Sequence, residues 1–387
     1  MSGGDPRTGK LPAVAELVAI DLPGGDGFAA ALCDAWAHGD AVLPLDQRLS
    51  PAARRAVVDR LRPASVLHPG GTARRPDGIP VEPGDALVVA TSGTTGVAKG
   101  VVLTHAAVAA SAEATSARLG VDPARHRWLA CLPLSHVGGL AVLTRSLHTG
   151  TPCTVLPGFD RDAVRAAAGP DVFVSLVPTA LRRVGAEHFH SVVLGGSSPP
   201  DDLAPNVVTT YGLTETGSGV VYDGRPLDGV EVAVDPADGQ IRLRGPMLLR
   251  GYRDGTDALD TDGWLATGDA GEIRGDGRLT VHGRMGDMIV TGGDNVWPGP
   301  VEDVLGSLGS VAEVAVAGRV DPEWGQRVVA WVVPTDPNVP PKLPELRAAV
   351  AEAIAPFAAP RQLVLVGALP RTAIGKVQRD RLPDPGG

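Results

Sequence analysis

Residues 86–105 read ALVVATSGTTGVAKGVVLTH, and how this stretch is parsed decides what fold follows. ALVVA (86–90) is a short apolar, β-prone run, and VVLTH (101–105) resumes the same texture. Between them, TSGTTGVAKG (91–100) gathers hydroxyls, glycines and one lysine, a composition that lets backbone N–H groups approach anionic oxygens closely. It is not the best-known phosphate loop, which needs Gly-Lys-Ser/Thr after four variable residues and then a helix. Here Lys99 follows Ala98 and precedes Gly100, and a strand comes next. The stretch predicts a phosphate-facing loop between two strands, after which Thr104 stands as N-cap of an Ala-rich helix over 105–119.

Working outward, WLACLPL (128–134) reads as a strand and GLAVLTRSLH (139–148) as a helix stopped by Gly150. TPCTVLP (151–157) is a strand, and RDAVRAAA (161–168) a helix with Gly169 as its C′ residue. VFVSLVP and SVVLGG are buried-strand runs, and strands alternating with helices predict a parallel α/β sheet. Near residue 228 the texture changes. VEVAVDPADGQIRLRG alternates around an Asp-Gly turn as an antiparallel hairpin, and EIRGDGRLTVHGR (272–284) repeats the form. Beyond 287 a small α+β unit is expected, with helices over 300–308 and 344–355 and strands over 311–318, 327–333 and 362–367. The boundary falls at Arg284–Gly286, giving a large α/β unit over 1–284 and a smaller one over 285–387.

The bulk numbers narrow the function classes. A chain of 387 residues, 43% hydrophobic and 20% charged, can bury a sizeable core. The net charge of −9, with no long basic run, excludes nucleic acid as the main partner. Three widely spaced cysteines make neither a disulfide framework nor a zinc site. No signal-peptide core and no membrane-length apolar run appear, so a reducing cytoplasm and no membrane partner are expected. Oligomeric state is left open, a homodimer being among the states allowed.

Four further stretches carry chemistry. YGLTETGSG (211–219) offers Tyr211 to stack on a base, Thr214 to donate to phosphate, and Glu215 as a hard oxygen ligand suited to Mg²⁺. In GWLATGDAG (263–271), Asp269 follows a glycine at a turn, a good place for a carboxylate accepting two ribose hydroxyls. GRMGDMIVTGGDNVWPGPVED (283–303) brings Arg284 within reach of the same ribose, and PRTAIGKVQRDRL (370–382) sets Lys376 in a glycine-bearing loop.

In this order and at these separations, the motifs resemble the acyl-adenylate-forming superfamily of acyl-CoA synthetases, adenylation domains and luciferases, over roughly residues 85–382. The resemblance implies a large amino-terminal α/β domain hinged to a small mobile carboxyl-terminal α+β domain. It implies that Thr91, Ser92, Gly93, Thr94, Thr95, Gly96 and Lys99 hold the β- and γ-phosphates of ATP. Gly195, Gly196 and Ser197 would line adenine, with Tyr211 and Gly212 at the ring. Thr214 and Glu215 would serve α-phosphate and magnesium, Asp269 and Arg284 the ribose, and Lys376 both the substrate carboxylate and the α-phosphate. Gly286 occupies the hinge position, where the family usually has Asp or Lys; Gly292, Gly293 and Trp297 would face the pantetheine of coenzyme A, with Trp297 equally readable as packing.

On the acid side, His136, Gly139 and Arg145 form an H-x-x-G-L-x-x-L-x-R arrangement similar to that of o-succinylbenzoate–CoA ligases of menaquinone synthesis. Arg145 reads either as counter-charge to a second substrate carboxylate or as a surface arginine on a polar helix face. The expected reaction is carboxylate plus ATP to acyl-AMP and pyrophosphate, then CoA to acyl-CoA and AMP. Other readings are a different aryl or short-chain acyl-CoA ligase, a stand-alone adenylation enzyme loading a carrier protein, and a non-catalytic nucleotide-binding relative.

Overall fold

The computed structural model describes residues 15–92, 98–197, 199–200, 202–371 and 377–385. Its amino-terminal part is built on two seven-stranded sheets. In the first, strands Asp85–Ser92, Ala41–Pro44, Leu17–Ile20 and Ser65–His68 run parallel as neighbours in that order. Antiparallel strands close it: Ala98–Thr104 and then Gly251–Tyr252 beside Asp85–Ser92, and Gly71–Arg74 at the far edge. In the second, Val207–Gly212, Phe189–Leu194, Gly169–Leu176, Arg127–Ala130 and Cys153–Val155 are parallel, with Gly219–Tyr222 and Arg225–Pro226 antiparallel at one side. The expected parallel sheet is thus two sheets with parallel centres and antiparallel edges, because tight turns such as Tyr222–Arg225 reverse the chain where no crossover helix intervenes.

Helices His105–Leu119 and Val137–Thr149 pack against each other between the sheets. One apolar cluster joins them to both, from Leu87, Val101 and Leu103 through Val108 and Leu140 to Trp128, Phe173 and Tyr222. Thr104 caps the first helix as read, its Oγ1 accepting from Ala107 N at 3.1 Å, and Gly150 closes the second in the left-handed region at φ 69°. Gly169 is not a C′ residue. Helix Arg161–Ala166 ends at Ala167 in right-handed conformation, and Gly169 begins the next strand. The strands read over 128–134 and 151–157 are shorter, Arg127–Ala130 and Cys153–Val155, since their apolar prolines and leucines belong to the loops that follow.

Both expected hairpins form and join into one four-stranded antiparallel sheet, Glu231–Val234, Gln240–Arg244, Leu265–Ile273 and Leu279–Arg284. The last stretch is a five-stranded sheet with helices Pro298–Gly306 and Leu343–Ala353. Strands Val311–Asp321 and Gly325–Pro334 form its long hairpin, and Gln362–Leu365 adds in parallel. A hairpin not foreseen, Ile289–Thr291 with Asp294–Val296, turns at Gly292–Gly293. Its apolar clusters draw only on residues from Ile289 onward, whereas the clusters of the other sheets stop at Leu279. Among the described residues no helix is long and apolar enough to cross a membrane.

Thr104→Ala should lower unfolding free energy by about 1 kcal/mol through loss of the N-cap, read as a shifted urea midpoint at unchanged slope.

Candidate active site

Carboxyl ends of parallel strands are where open α/β sheets take ligands, and the candidate residues collect there. Thr91 lies near the end of Asp85–Ser92, Gly195, Gly196 and Ser197 just past Phe189–Leu194, and Tyr211 and Gly212 at the end of Val207–Gly212. Asp46 follows Ala41–Pro44, and His136 stands in the loop after Arg127–Ala130. Gly93, Thr94, Thr95, Gly96 and Lys376 lie outside the described residues, as does the side chain of Ser92. The strands flanking the 93–97 stretch do pair antiparallel, with Thr91 opposite Lys99 and Ser92 opposite Ala98.

Asp269 organises a polar cluster. It is 6% exposed and faces Arg284 across the antiparallel pair, with Arg284 Nε 3.0 Å from its Oδ1. The Tyr211 hydroxyl donates to Oδ2 at 2.8 Å, and Asp269 N donates to Thr267 Oγ1 at 3.1 Å. Burial and the neighbouring carboxylate push the Tyr211 hydroxyl far above its ordinary pKa, so it remains a donor. The three residues foreseen for adenine and ribose are therefore one unit: the hydrogen bond that fixes the tyrosine ring also holds the acidic side chain.

Gly195 and Gly212 are required by space, since a Cβ would come 2.7 Å from Thr210 Oγ1 in the first case and 2.2 Å from Ser218 O in the second. Thr214 and Glu215 lie in a single 3₁₀ turn, Thr214–Thr216, fixed by the Thr216 hydroxyl, which accepts from Leu213 N and donates to Ser218 O at 2.7 Å. Glu215 Oε1 accepts from the Tyr252 hydroxyl at 3.0 Å, and its Oε2 has no hydrogen bond among the described residues. A carboxylate with one unengaged oxygen beside a polar turn fits a hard divalent cation such as Mg²⁺. Lys99 Nζ lies 4.8 Å from the Tyr252 ring centroid. Tyr252 was missed in the sequence, where a Gly-Tyr pair after an apolar run carries no catalytic signal.

On the opposite wall, His136 is the N-cap residue of helix Val137–Thr149. Its Nε2 lies 3.1 Å from Asp46 Oδ2 and 2.8 Å from Arg48 Nη2, so one ring nitrogen is placed between an acceptor and a donor. Burial pushes the Asp46 carboxyl up, but hydrogen bonds from Arg48 and His136 outweigh it and hold the group well below the usual carboxylate range. Asp46 and Arg48 are also residues that the sequence did not reveal, being about ninety positions from His136. Gly139 is a packing residue in this geometry: a Cβ would lie 2.4 Å from Leu132 O and 2.6 Å from Pro133 O.

Arg145 is not a surface arginine. It is 3% exposed, its guanidinium 4.7 Å from the Trp128 ring centroid. Among the described residues its Nε and Nη1 and the Trp128 Nε1 all lack a hydrogen-bond acceptor. Burial lowers the guanidinium pKa, and unpaired donors of this kind are costly. The side chain lines a cavity of about 10 Å³ together with Leu103, Ser111, Leu140, Thr144 and Gly217, room for one water.

At the junction with the last sheet, Gly286 sits in the turn Met285–Asp287 with nothing within 4 Å of a hypothetical Cβ. The neighbouring Asp287 lies 3.4 Å from Arg379 Nη1, and Arg379 Nη2 lies 2.7 Å from both oxygens of Glu302. Arg371 and Val377, which bracket the stretch containing Lys376, form an antiparallel bridge. Gly292 has φ 62° and a Cβ there would meet the Trp324 ring at 2.8 Å; Gly293 follows at φ 93°. Trp297 stacks on His282 with centroids 6.2 Å apart. No cluster of three or more His, Cys, Asp or Glu suited to a metal occurs among the described residues.

Comparison with known proteins bears on the same regions. The family model described as AMP-binding enzyme matches residues 72–253, and the AMP-binding enzyme C-terminal domain matches 300–376. A protein named "Probable 2-succinylbenzoate–CoA ligase" of Mycobacterium tuberculosis is 42% identical over 323 residues, 77% of this chain and 83% of that one. The 2-succinylbenzoate–CoA ligase of Listeria monocytogenes is 32% identical over 330 residues, 77% of this chain and 70% of that one. The o-succinylbenzoate CoA synthetase of Bacillus subtilis, solved with the acyl-adenylate intermediate, superposes with a TM-score of 0.85 at 27% identity, covering 95% of this chain and 88% of that one. The same enzyme has been solved with ATP and magnesium ion.

Asp46, with its depressed folded pKa, contributes stability above the unfolded-state pKa of about 4 and loses it as pH falls below that value. The stability gap between wild type and Asp46→Asn should therefore shrink from pH 6 to pH 3 in urea titrations; an unchanged gap would show that the Arg48 and His136 contacts do not discriminate charge.

Proposed function

Because this chain belongs to the AMP-binding enzyme family, we propose that it is an acid–thiol ligase that activates o-succinylbenzoate with ATP and transfers the acyl group to coenzyme A. The buried, acceptor-less Arg145 is the observation that favours this acid. A monocarboxylate would leave the guanidinium as it is, whereas the aryl carboxylate of a dicarboxylate supplies the missing anion, with Trp128 Nε1 as a second donor. The present void admits one water, so binding of that carboxylate includes side-chain movement at this wall. The naming of relatives as 2-succinylbenzoate–CoA ligases supports the same reading.

In this reading the succinyl carboxylate attacks the α-phosphorus of ATP, the bond to the bridging oxygen breaks, and pyrophosphate leaves. The thiol of coenzyme A then attacks the acyl carbon, and AMP leaves. Two anions approach in the first step, so fixed positive charge is needed. Lys376 would supply it between carboxylate and α-phosphate, while the 91–100 loop with Lys99 takes the departing pyrophosphate end. Tyr211 would stack on adenine beside Gly195, Gly196 and Ser197, and Asp269 with Arg284 would hold the ribose. Thr214 would donate to the α-phosphate, and Glu215 would hold Mg²⁺, which when bound offsets phosphate charge; the relative solved with ATP and magnesium supports its use. His136 would lie along the acyl chain, its ring held by Asp46 and Arg48.

We divide the chain at 284/285. The separation of apolar clusters at Leu279 and Ile289 supports a hinge there. Gly286, free to take a wide range of φ and ψ, would let the smaller unit turn between half-reactions and bring Gly292 and Gly293 to the pantetheine. A cytoplasmic setting fits the three free thiols Cys33, Cys131 and Cys153.

With ATP, Mg²⁺ and coenzyme A, o-succinylbenzoate should give the highest kcat/KM in a panel of acids; a clear preference for benzoate or a fatty acid would sink the assignment. Lys376→Ala should reduce acyl-AMP formation by on the order of 10²–10³ and leave thioester formation from supplied acyl-AMP largely intact. Arg145→Met should raise Tm, because a buried unpaired charge is replaced by an apolar side chain, while raising KM for the diacid by roughly 10²-fold. A variant that is less stable with unchanged KM would assign Arg145 to structure alone.

A further inference from the structure

Two groups assigned to the anionic end of ATP terminate on one side chain. Lys99 Nζ lies over the Tyr252 ring, 4.8 Å from its centroid, and the Tyr252 hydroxyl donates to Glu215 Oε1 at 3.0 Å. Among the described residues, neither Lys99 nor Glu215 has an ion-pair partner within 4.0 Å, though they are opposite charges gathered around one ring.

The tyrosine is held firmly. Gly251–Tyr252 pairs with Val101 and Val102, on the strand that carries Lys99. Before it, Arg250 makes two hydrogen bonds of 2.9 Å to Asp85, which is 1% exposed, and Leu249 N donates to Glu215 O at 2.7 Å. After it, the Arg253 guanidinium donates to the carbonyls of Leu61, Ile79 and Pro80. Ring and hydroxyl are thus presented by a segment anchored before it to the first sheet and after it to the carbonyls of Leu61, Ile79 and Pro80, and tied by its backbone to the turn that carries Glu215.

We propose that Tyr252 is a spacer: a positioning residue that keeps the Lys99 ammonium and the Glu215 carboxylate from pairing with each other, so that both remain available to the triphosphate and its metal ion. This rests on the assignment of Lys99 and Glu215 to that end of ATP. The chemistry favours a tyrosine. Its π face receives the cation and its hydroxyl donates to the anion. A cation–π contact at a partly exposed site is weaker than a charge-assisted bond to phosphate, so the nucleotide takes the ammonium from the ring readily. A direct Lys99–Glu215 pair would instead have to be broken by every incoming ATP.

The test is calorimetric binding of ATP to the full chain, with Mg²⁺ and with EDTA. Tyr252→Phe keeps the ring and loses the hydroxyl; the Kd for ATP with Mg²⁺ should rise about 5–10-fold while the metal-free Kd stays within about 2-fold. Tyr252→Leu removes both contacts and should weaken metal-free binding about 10-fold as Lys99 is captured by Glu215. Adding Glu215→Gln to Tyr252→Leu should restore metal-free binding to within about 2-fold of wild type, a rescue that a purely structural role for Tyr252 does not predict. No rescue in the double variant, or wild-type Mg²⁺ dependence in Tyr252→Phe, overturns the spacer. If Glu215→Gln alone leaves the Mg²⁺ dependence of ATP binding intact, the assignment of Glu215 fails, and the spacer with it.

Discussion

A carboxylate that is 6% exposed must be paired, and the pairing of Asp269 is the constraint on which the rest of the molecule depends. Its two oxygens draw together Arg284, the last residue of the antiparallel sheet, and Tyr211, at the end of a strand in the second α/β sheet. The interaction therefore couples three things usually discussed separately: the seating of one sheet on another, the orientation of an aromatic ring, and the point from which the chain departs into its final unit. Removing any partner would leave a buried charge or a buried hydroxyl without its complement, which is why the cluster acts as a joint.

The parts of this arrangement that could be read in the sequence are those written in local pattern. The cap at Thr104, the stop at Gly150 and the hairpins after residue 228 depend on neighbours within a few positions, and each forms as read. The amino-terminal strands went unread because they are four residues each, too short to show a period. Gly169 misled because a glycine after a helix has two uses, and here it opens a strand.

The site divides in the same way. Asp269, Arg284, Tyr211 and Glu215 stand in motifs whose order is informative, and the structure brings the first three into contact. Asp46, Arg48 and Tyr252 stayed hidden because their partners are distant in sequence and their own neighbourhoods are unremarkable. Burial is the other quantity a sequence withholds. Whether Arg145 faced solvent or interior could not be decided from a helix bearing Thr144 and His148 beside it; its 3% exposure settles that question and changes the residue from decoration into an unsatisfied cation.

The chain beyond residue 377 has a role that its length and position conceal. Arg379 reaches back to Glu302 and to Asp287, one residue past Gly286, while Pro383 and Pro385 carbonyls accept from Trp331 and Gln362 on the small sheet. Residues 379–385 are therefore tied both to the turn at Gly286 and to the small sheet. Displacing residues 379–385 would thus break contacts at the turn and on the small sheet together, so the stretch is held at two separate places at once.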